Sequence, residues 1–396
     1  MASSLSQVGV VTALNLRTLL TRWQSAAVTV VGIAGVMIVL TGVFSMYEGF
    51  RATLDLSGSD EVALILRGGS TDEMSSGLSL EDTRIAGDAP GVARSGGAPV
   101  ISPEMFVNVA VPSRATGTEM YVPMRGVGSQ APELRGHFRW IAGRMLTPGT
   151  NEIVVGQAAA HQFRGLDLGN PIKLGAETWT VVGVFSDAGS IAESEIWADT
   201  TTMQGIFQYG TGVQSIRARL TSPAAIKAYK DSLGTDPRVN FKIQTEREYL
   251  TQMSRLLRGI ISSVGFAIAL LMGIGAVFAA LNTMYAAVAA RTREIATLRA
   301  LGFGAFPVIV SVLAEALVLG LAGAIIGGVI GYLSFNGIQT STLNMASFSQ
   351  VAFSFRVTGE LLLWGCIYAL VLAFVGGVLP AIRAARLPIA GGLREL

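Results

Sequence analysis

The sequence predicts an α-helical membrane protein with four transmembrane helices and a large mixed α/β extracytoplasmic domain between the first and the second. Three observations carry this. The chain is 51% hydrophobic and only 14% charged, with a mean hydropathy of +0.52, whereas a soluble domain carries about 25% charged residues. Four stretches are long and apolar enough to span a bilayer, which takes about 20 residues. Between the first two lies a region of roughly 200 residues, ample for one or two folded domains, that mixes strand and helix patterns.

The first span, residues 23–47, holds no charge. It exceeds the usual apolar core of a secretory signal, and its end, GVFSMYEGF, offers no small-x-small cleavage site, so it is read as retained. The second span, 258–290, is uncharged from Gly259 to Ala290. The third, 306–333, is interrupted only by Glu315, and the fourth, 361–382, lies between Glu360 and Arg383. Arginines set the orientation. Arg17 and Arg22 precede the first span, Arg291, Arg293 and Arg299 lie in the loop 291–305, and Arg383, Arg386 and Arg394 lie in the tail 383–396. These segments are expected on the cytoplasmic side with both termini, leaving 48–257 and the short connection 334–360 outside. The four lysines, Lys173, Lys227, Lys230 and Lys242, all fall in the outer region.

Within that region Val62–Leu66, Ile153–Val155 and Trp179–Phe185 read as strands. Ser79 with Asp82 opens a helix through side-chain capping of its first free donors. Ser222 followed by Pro223 opens a second, running to about Leu233. Thr245 with Glu248 is a capping box for a third helix, which nothing breaks before the second span ends. That helix is about 65 Å long at 1.5 Å per residue, against a bilayer core of about 30 Å. Roughly half of it is therefore expected to stand outside as a rigid stalk, and the first span is expected to extend towards Leu56.

The segment Thr292–Gly302, TREIATLRALG, places Ile295, Leu298 and Leu301 on one helical face, with Glu294 and Arg299 off that stripe and Gly302 as terminator. It suits docking of a cytoplasmic partner, or a helix lying at the lipid interface with its charges reaching water. Gly323, Gly327 and Gly331 recur at four-residue spacing and let another helix approach closely. That helix belongs to the same chain or to a second copy. Glu315, alone in its span, is a paired or snorkelling carboxylate or else a proton relay. Pro380 bends or ends the fourth helix.

Several function classes are excluded or unsupported. A net charge of +2 without clustered basic residues gives no case for nucleic acid. The single cysteine, Cys366, allows neither an intrachain disulfide nor a thiolate cluster. No lysine follows a glycine, so there is no Walker A loop. His137 and His161 lack metal-motif spacing and read as surface residues. No catalytic, cofactor or metal residue is expected.

Taken together, the chain resembles the permeases of the MacB, LolC/LolE and FtsX superfamily of ABC transporters, also called type VII. Four blocks carry the likeness. Ala13–Leu54, ALNLRTLLTRWQ…GVFSMYEGFRATL, is similar to the amphipathic N-terminal helix (1–22) and first span. Asn151–Phe185, NEIVVGQAAAHQFRGLDLGNPIKLGAETWTVVGVF, resembles the periplasmic core domain. Arg291–Gly331, with REIATLRALGF and AEALVLGLAG, is similar to the coupling loop and third span, and LPAIRAARLPIAGGLREL to the C-terminal tail. The resemblance implies a bacterial inner-membrane permease worked by a separate cytoplasmic ABC ATPase dimer. Arg293, Glu294, Ile295, Leu298, Arg299 and Gly302 would meet that ATPase. It also implies a second permease chain, identical or paralogous, with room for a periplasmic adaptor or substrate protein. Hydrolysis would then reshape the outer domains, a scheme called mechanotransmission, to extrude a drug, peptide, lipid or lipoprotein held between two permease copies. FtsX-like signalling to cell-wall hydrolases without transport is the alternative, and a ligand-sensing receptor a weaker one.

Overall fold

The computed structural model describes residues 4–18, 23–344 and 349–388, so that Arg22, Arg394 and most of the tail beyond Leu387 lie outside the described residues. In chain order the elements are α1 (Ser4–Thr18), α2 (Trp23–Ser57), β1 (Val62–Arg67), α3 (Leu80–Asp88), β2 (Arg94–Ser95), β3 (Ala98–Pro99), β4 (Ile101–Pro112) and β5 (Glu119–Val127). There follow β6 (Arg139–Gly143), β7 (Glu152–Gly156), α4 (Gln157–Gln162), β8 (Pro171–Leu174), β9 (Glu177–Ser186), β10 (Ile196–Asp199), α5 (Thr200–Ile206), β11 (Ser215–Arg219), α6 (Ala225–Gly234) and β12 (Phe241–Thr245). The chain closes with α7 (Glu246–Ala289), α8 (Thr292–Ala300), α9 (Ala305–Phe335), β13 (Gln339–Asn344), β14 (Ser349–Ser354) and α10 (Gly359–Ala385). They gather into a helical unit (Met1–Glu48, Arg258–Ile338, Phe355–Leu396) and a sheet unit (Gly49–Leu257, Gln339–Ser354).

In the helical unit Ala26–Ser57, Gly259–Ala289, Ala305–Phe335 and Gly359–Ala385 are each long and apolar enough to cross a membrane. Small residues decide how they pack. A Cβ built on Gly327 would stand 2.5 Å from the Ala34 carbonyl oxygen, and one on Gly323 would stand 2.9 Å from that of Val30. Gly331 abuts Thr41 in the same way. The glycine face of α9 thus lies directly on α2 of the same chain. Pro380 does not end α10, which continues to Ala385 with Thr358 capping its start. Cys366 is half-buried against Ile33, Ala324, Ala369 and Ala373.

The sheet unit is built on strands in the order β12-β1-β11-β4-β5-β10-β7-β9-β6, with β8 also pairing β9. The twelve-residue β4 spans two halves, pairing β11 through Ile101–Glu104 and β5 from Met105 onward. One apolar core, with Ile65, Ile216 and Tyr229, lies under α3 and α6. The other, with Met105, Trp179 and Ile196, includes Ala159 of α4 and Met203 of α5. The strands read at Val62, Ile153 and Trp179 are β1, β7 and β9. The Ser79–Asp82 capping box is present. The next helix is present, but it starts two residues later than the sequence reading places it. The Ser222 carbonyl accepts from Ala225 N (3.1 Å), so Ser222 and Pro223 belong to the preceding turn, and α6 starts at Ala225 without a side-chain cap. The connection after the third span also holds more structure than expected. It forms the β13–β14 hairpin, whose Ala352 N donates to Ser194 Oγ (2.9 Å) and whose Phe353 ring meets Phe50 edge-on at 5.7 Å.

The Thr245–Glu248 capping box opens α7: Glu248 N donates to Thr245 Oγ1 (3.1 Å) and Thr245 N to Glu248 Oε2 (3.0 Å). The helix then runs 44 residues without a break, about 66 Å at 1.5 Å per residue. Tyr249, Leu250 and Met253 near its start pack with Leu64 and Leu66 in the sheet unit. Met284 and Val288 near its end belong to a core of the helical unit.

Candidate coupling site and buried charge network

The loop 291–305 folds as α8 with a defined start and stop. Arg291 is the N-cap residue, and its carbonyl accepts from Ile295 N (2.9 Å). At the other end Gly302, at φ +92°, takes the left-handed conformation that side chains disfavour. Phe303 N bonds to Leu298 O and Gly302 N to Arg299 O, both at 3.1 Å. This pair of bonds closes the free carbonyls of the last turn as a Schellman motif.

The stripe Ile295, Leu298, Leu301 is graded along the helix. Ile295 is buried with Met284, Val288, Val308, Val312 and Ala384, Leu298 is half-buried, and Leu301 is 73% exposed. Arg293, Glu294 and Gly302 are exposed, and Phe306 of α9 is 64% exposed. Arg299 is half-buried and donates from Nη1 to the Leu387 carbonyl (2.7 Å), just past the end of α10. A short amphipathic helix is therefore held at both ends, through Arg291 and Ile295 and through Arg299, while Arg293, Glu294 and Leu301 remain exposed.

Glu315 is not alone. The fold places it against Arg291, whose Nη1 and Nη2 donate to its two oxygens at 3.0 and 2.9 Å. Both residues are 4% exposed. The sequence offered one signal, since a carboxylate in an apolar span must find a cation or a polar cavity. Which of the arginines answers it depended on how α7, α8 and α9 meet. Close by, Asn15 of α1 bonds through its side chain to Ser311 of α9.

The sheet unit holds a second constellation that motif reading missed entirely. Arg125 of β5 donates from Nε to Glu195 (3.0 Å) and from Nη1 to Glu73 (2.9 Å) and Glu104 (3.0 Å). Arg217 of β11 bonds to Glu104 and reaches Glu246, in the first turn of α7, at 3.3 Å. Arg135 lies 3.5 Å from Glu104 and 3.7 Å from Glu246. Trp197 Nε1 and Ser215 Oγ donate to Glu195 and Glu73, and Glu73 N donates to the Tyr249 hydroxyl.

Every one of these charged side chains is less than one-tenth exposed. Burial alone would raise the Glu73 carboxyl, but the Arg125 and Arg217 guanidiniums outweigh it and hold Glu73 far below the usual range. Burial would likewise lower Arg125 and Arg217, and their carboxylate partners raise both instead. Burial pushes the Tyr249 hydroxyl up. The network lines a cavity of about 70 Å³, far smaller than the roughly 300–1,000 Å³ of a small-molecule pocket. Its arrangement joins sheet, loop and the α7 start and leaves no space for such a ligand. His137 and His161 are both exposed.

Residues 26–235 match the family model of the MacB-like periplasmic core domain, and residues 266–389 match that of the FtsX-like permease C-terminal region. The chain belongs to the MacB/FtsX family of ABC transporter permeases. It is accordingly a multi-pass membrane protein whose sheet unit corresponds to the MacB-like core domain.

Among curated relatives it is 28% identical over 305 residues to an uncharacterized ABC transporter permease of Mycobacterium tuberculosis, covering 70% of this chain and 35% of that one. It is 24% identical over 378 residues to the macrolide export ATP-binding/permease protein MacB 1 of Aeromonas hydrophila, covering 90% of this chain and 56% of that one. The chain thus spans well under two thirds of the length of these relatives. Among solved structures, the periplasmic region of MacB from Actinobacillus actinomycetemcomitans aligns with 49% of this chain and 92% of its own length, at 16% identity and a TM-score of 0.38.

Proposed function

We propose that this MacB/FtsX-type permease couples ATP hydrolysis on a separate cytoplasmic ATPase pair to movement of its core domain, extruding a substrate without catalysing a reaction itself. The observation that carries the reading is α8. Its N-terminal end is held by Ile295 and by Arg291, while Arg293, Glu294 and Leu301 remain exposed. A short helix so anchored, at the end of the 44-residue α7, can pass a push into a long rigid element. The cluster of arginines around α8 supports a cytoplasmic location for it, and with it for both termini, by the positive-inside rule. The relatives named as macrolide exporters support a drug-like substrate, with peptides, lipids and lipoproteins as the wider class. The small volume enclosed by the core-domain charge network supports holding that substrate between two permease copies.

Glu294→Arg combined with Leu298→Asp tests the docking face. The double variant should insert in the membrane at wild-type level and fail to stimulate its cognate ATPase. Undiminished stimulation would overturn the assignment of α8 as the coupling helix.

A further inference from the structure

We infer that the Arg291–Glu315 ion pair is the positioning contact that locks the coupling helix to both α7 and α9, so that a displacement of α8 is delivered to two helices at once. Resting on the coupling reading for its role, the inference stands on geometry for its mechanism. Arg291 occupies the two-residue corner between α7 and α8. Its backbone N donates to Val288 O (3.1 Å), within the last turn of α7, and its carbonyl starts α8. Its side chain reaches into α9 and holds Glu315 through two parallel hydrogen bonds. One residue therefore ties three helices.

Alternatives to this tie are weak. A nine-residue helix is too short to persist by its own backbone bonds. Of its apolar stripe only Ile295 is fully buried. Beside the pair lies a cavity of about 30 Å³, lined by residues including Val11, Asn15, Ile295, Leu298 and Val312. The Arg299 bond to Leu387 O secures the far end of α8 to the region after α10, not to α7 or α9. Bidentate geometry also makes the pair orienting: a guanidinium fork fixes the carboxylate plane, which a lysine ammonium does not. Replacing Glu315 by a neutral residue takes from the buried Arg291 guanidinium its bidentate carboxylate, and the least costly relief is for the α7–α8 corner to move towards water.

Hydrogen exchange on the full-length permease in lipid nanodiscs tests this without any partner. Glu315→Gln should speed exchange of the α8 amides, residues 292–300, by on the order of tenfold or more, with α9 and core-domain amides unchanged. Arg291→Lys should give an intermediate effect, and the reversed pair, Arg291→Glu with Glu315→Arg, should restore protection. Unchanged α8 exchange in Glu315→Gln would overturn the inference. So would an equal increase throughout α9, since the carboxylate would then serve general stability.

Titration with the purified cognate ATPase separates this from failure of the docking assignment. Glu315→Gln should lower maximal stimulation and keep the apparent affinity, whereas the Glu294 and Leu298 double variant should weaken the affinity. Wild-type maximal stimulation in Glu315→Gln would overturn the positioning role even if α8 exchange has changed.

Discussion

Replacing Gly327 by alanine inserts one methyl group where α9 and α2 touch. The new Cβ would lie 2.5 Å from the Ala34 carbonyl oxygen and 2.8 Å from its Cα, both backbone atoms that cannot swing aside. Ordinary contact begins near 3.4 Å, so the helices must part by about 0.9 Å. A gap of that size forfeits roughly a quarter to a half of the dispersion energy of the contacts it opens. Overpacking of this kind costs about 1–3 kcal/mol. Alanine also gains about 1 kcal/mol of helix propensity over glycine, which would mask part of the loss. Gly35 of α2 supplies the control, because a Cβ there meets nothing within 4 Å, and Gly35→Ala carries the propensity gain alone. The difference between the two variants should therefore be about 1–3 kcal/mol in favour of Gly35→Ala, up to roughly a hundredfold in the unfolding constant. SDS titration of the full chain in detergent, followed by far-UV circular dichroism, reads it. Equal stability of the two variants would refute the claim that α9 glycines are required by contact with α2.

Two further outcomes test the core domain. Arg217→Met leaves Glu73, Glu104 and Glu246 less compensated in a buried site and should cost about 3–5 kcal/mol, whereas Arg144→Met, beside the partly exposed Glu152, should cost under about 1 kcal/mol; equal protease resistance of the two would contradict the buried network. The hydrogen-bonded Arg144 guanidinium holds the Glu152 carboxyl at about 2, and Glu73 lies lower still. Both are depressed, so their stabilisation is complete above the unfolded carboxylate value of about 4.3 and is lost as pH falls below it. Thermal unfolding should therefore be flat from neutral pH to about 5 and fall steeply below about 4, with a shallower acid limb in Glu152→Gln; an unaltered limb would count against the Glu152–Arg144 pairing.

Much of the architecture was legible because one-dimensional rules govern it. Spans follow from the length of uncharged runs, since lipid accepts only backbone that satisfies its own hydrogen bonds. Caps at Ser79 and Thr245 follow from local side-chain chemistry, and both hold. Ser222 misled because serine before proline marks a turn as readily as a helix start, and here the turn came first. The β13–β14 hairpin was missed because it owes its place to partners far along the chain, Ser194 and Phe50.

The sequence alone determined the membrane class, the four spans, the inserted α/β domain, the uninterrupted α7 and the position of the amphipathic α8. Each depends on spacing within one segment, where neighbours in the chain are also neighbours in space. Only the tertiary structure decided that the α9 glycines face α2, that Glu315 is held by Arg291, and that Arg125, Arg135 and Arg217 meet four glutamates in the core domain. Those pairings join residues 21 to more than 100 positions apart. A buried charge dictates that a partner must exist, and the packing of helices and strands then selects which one.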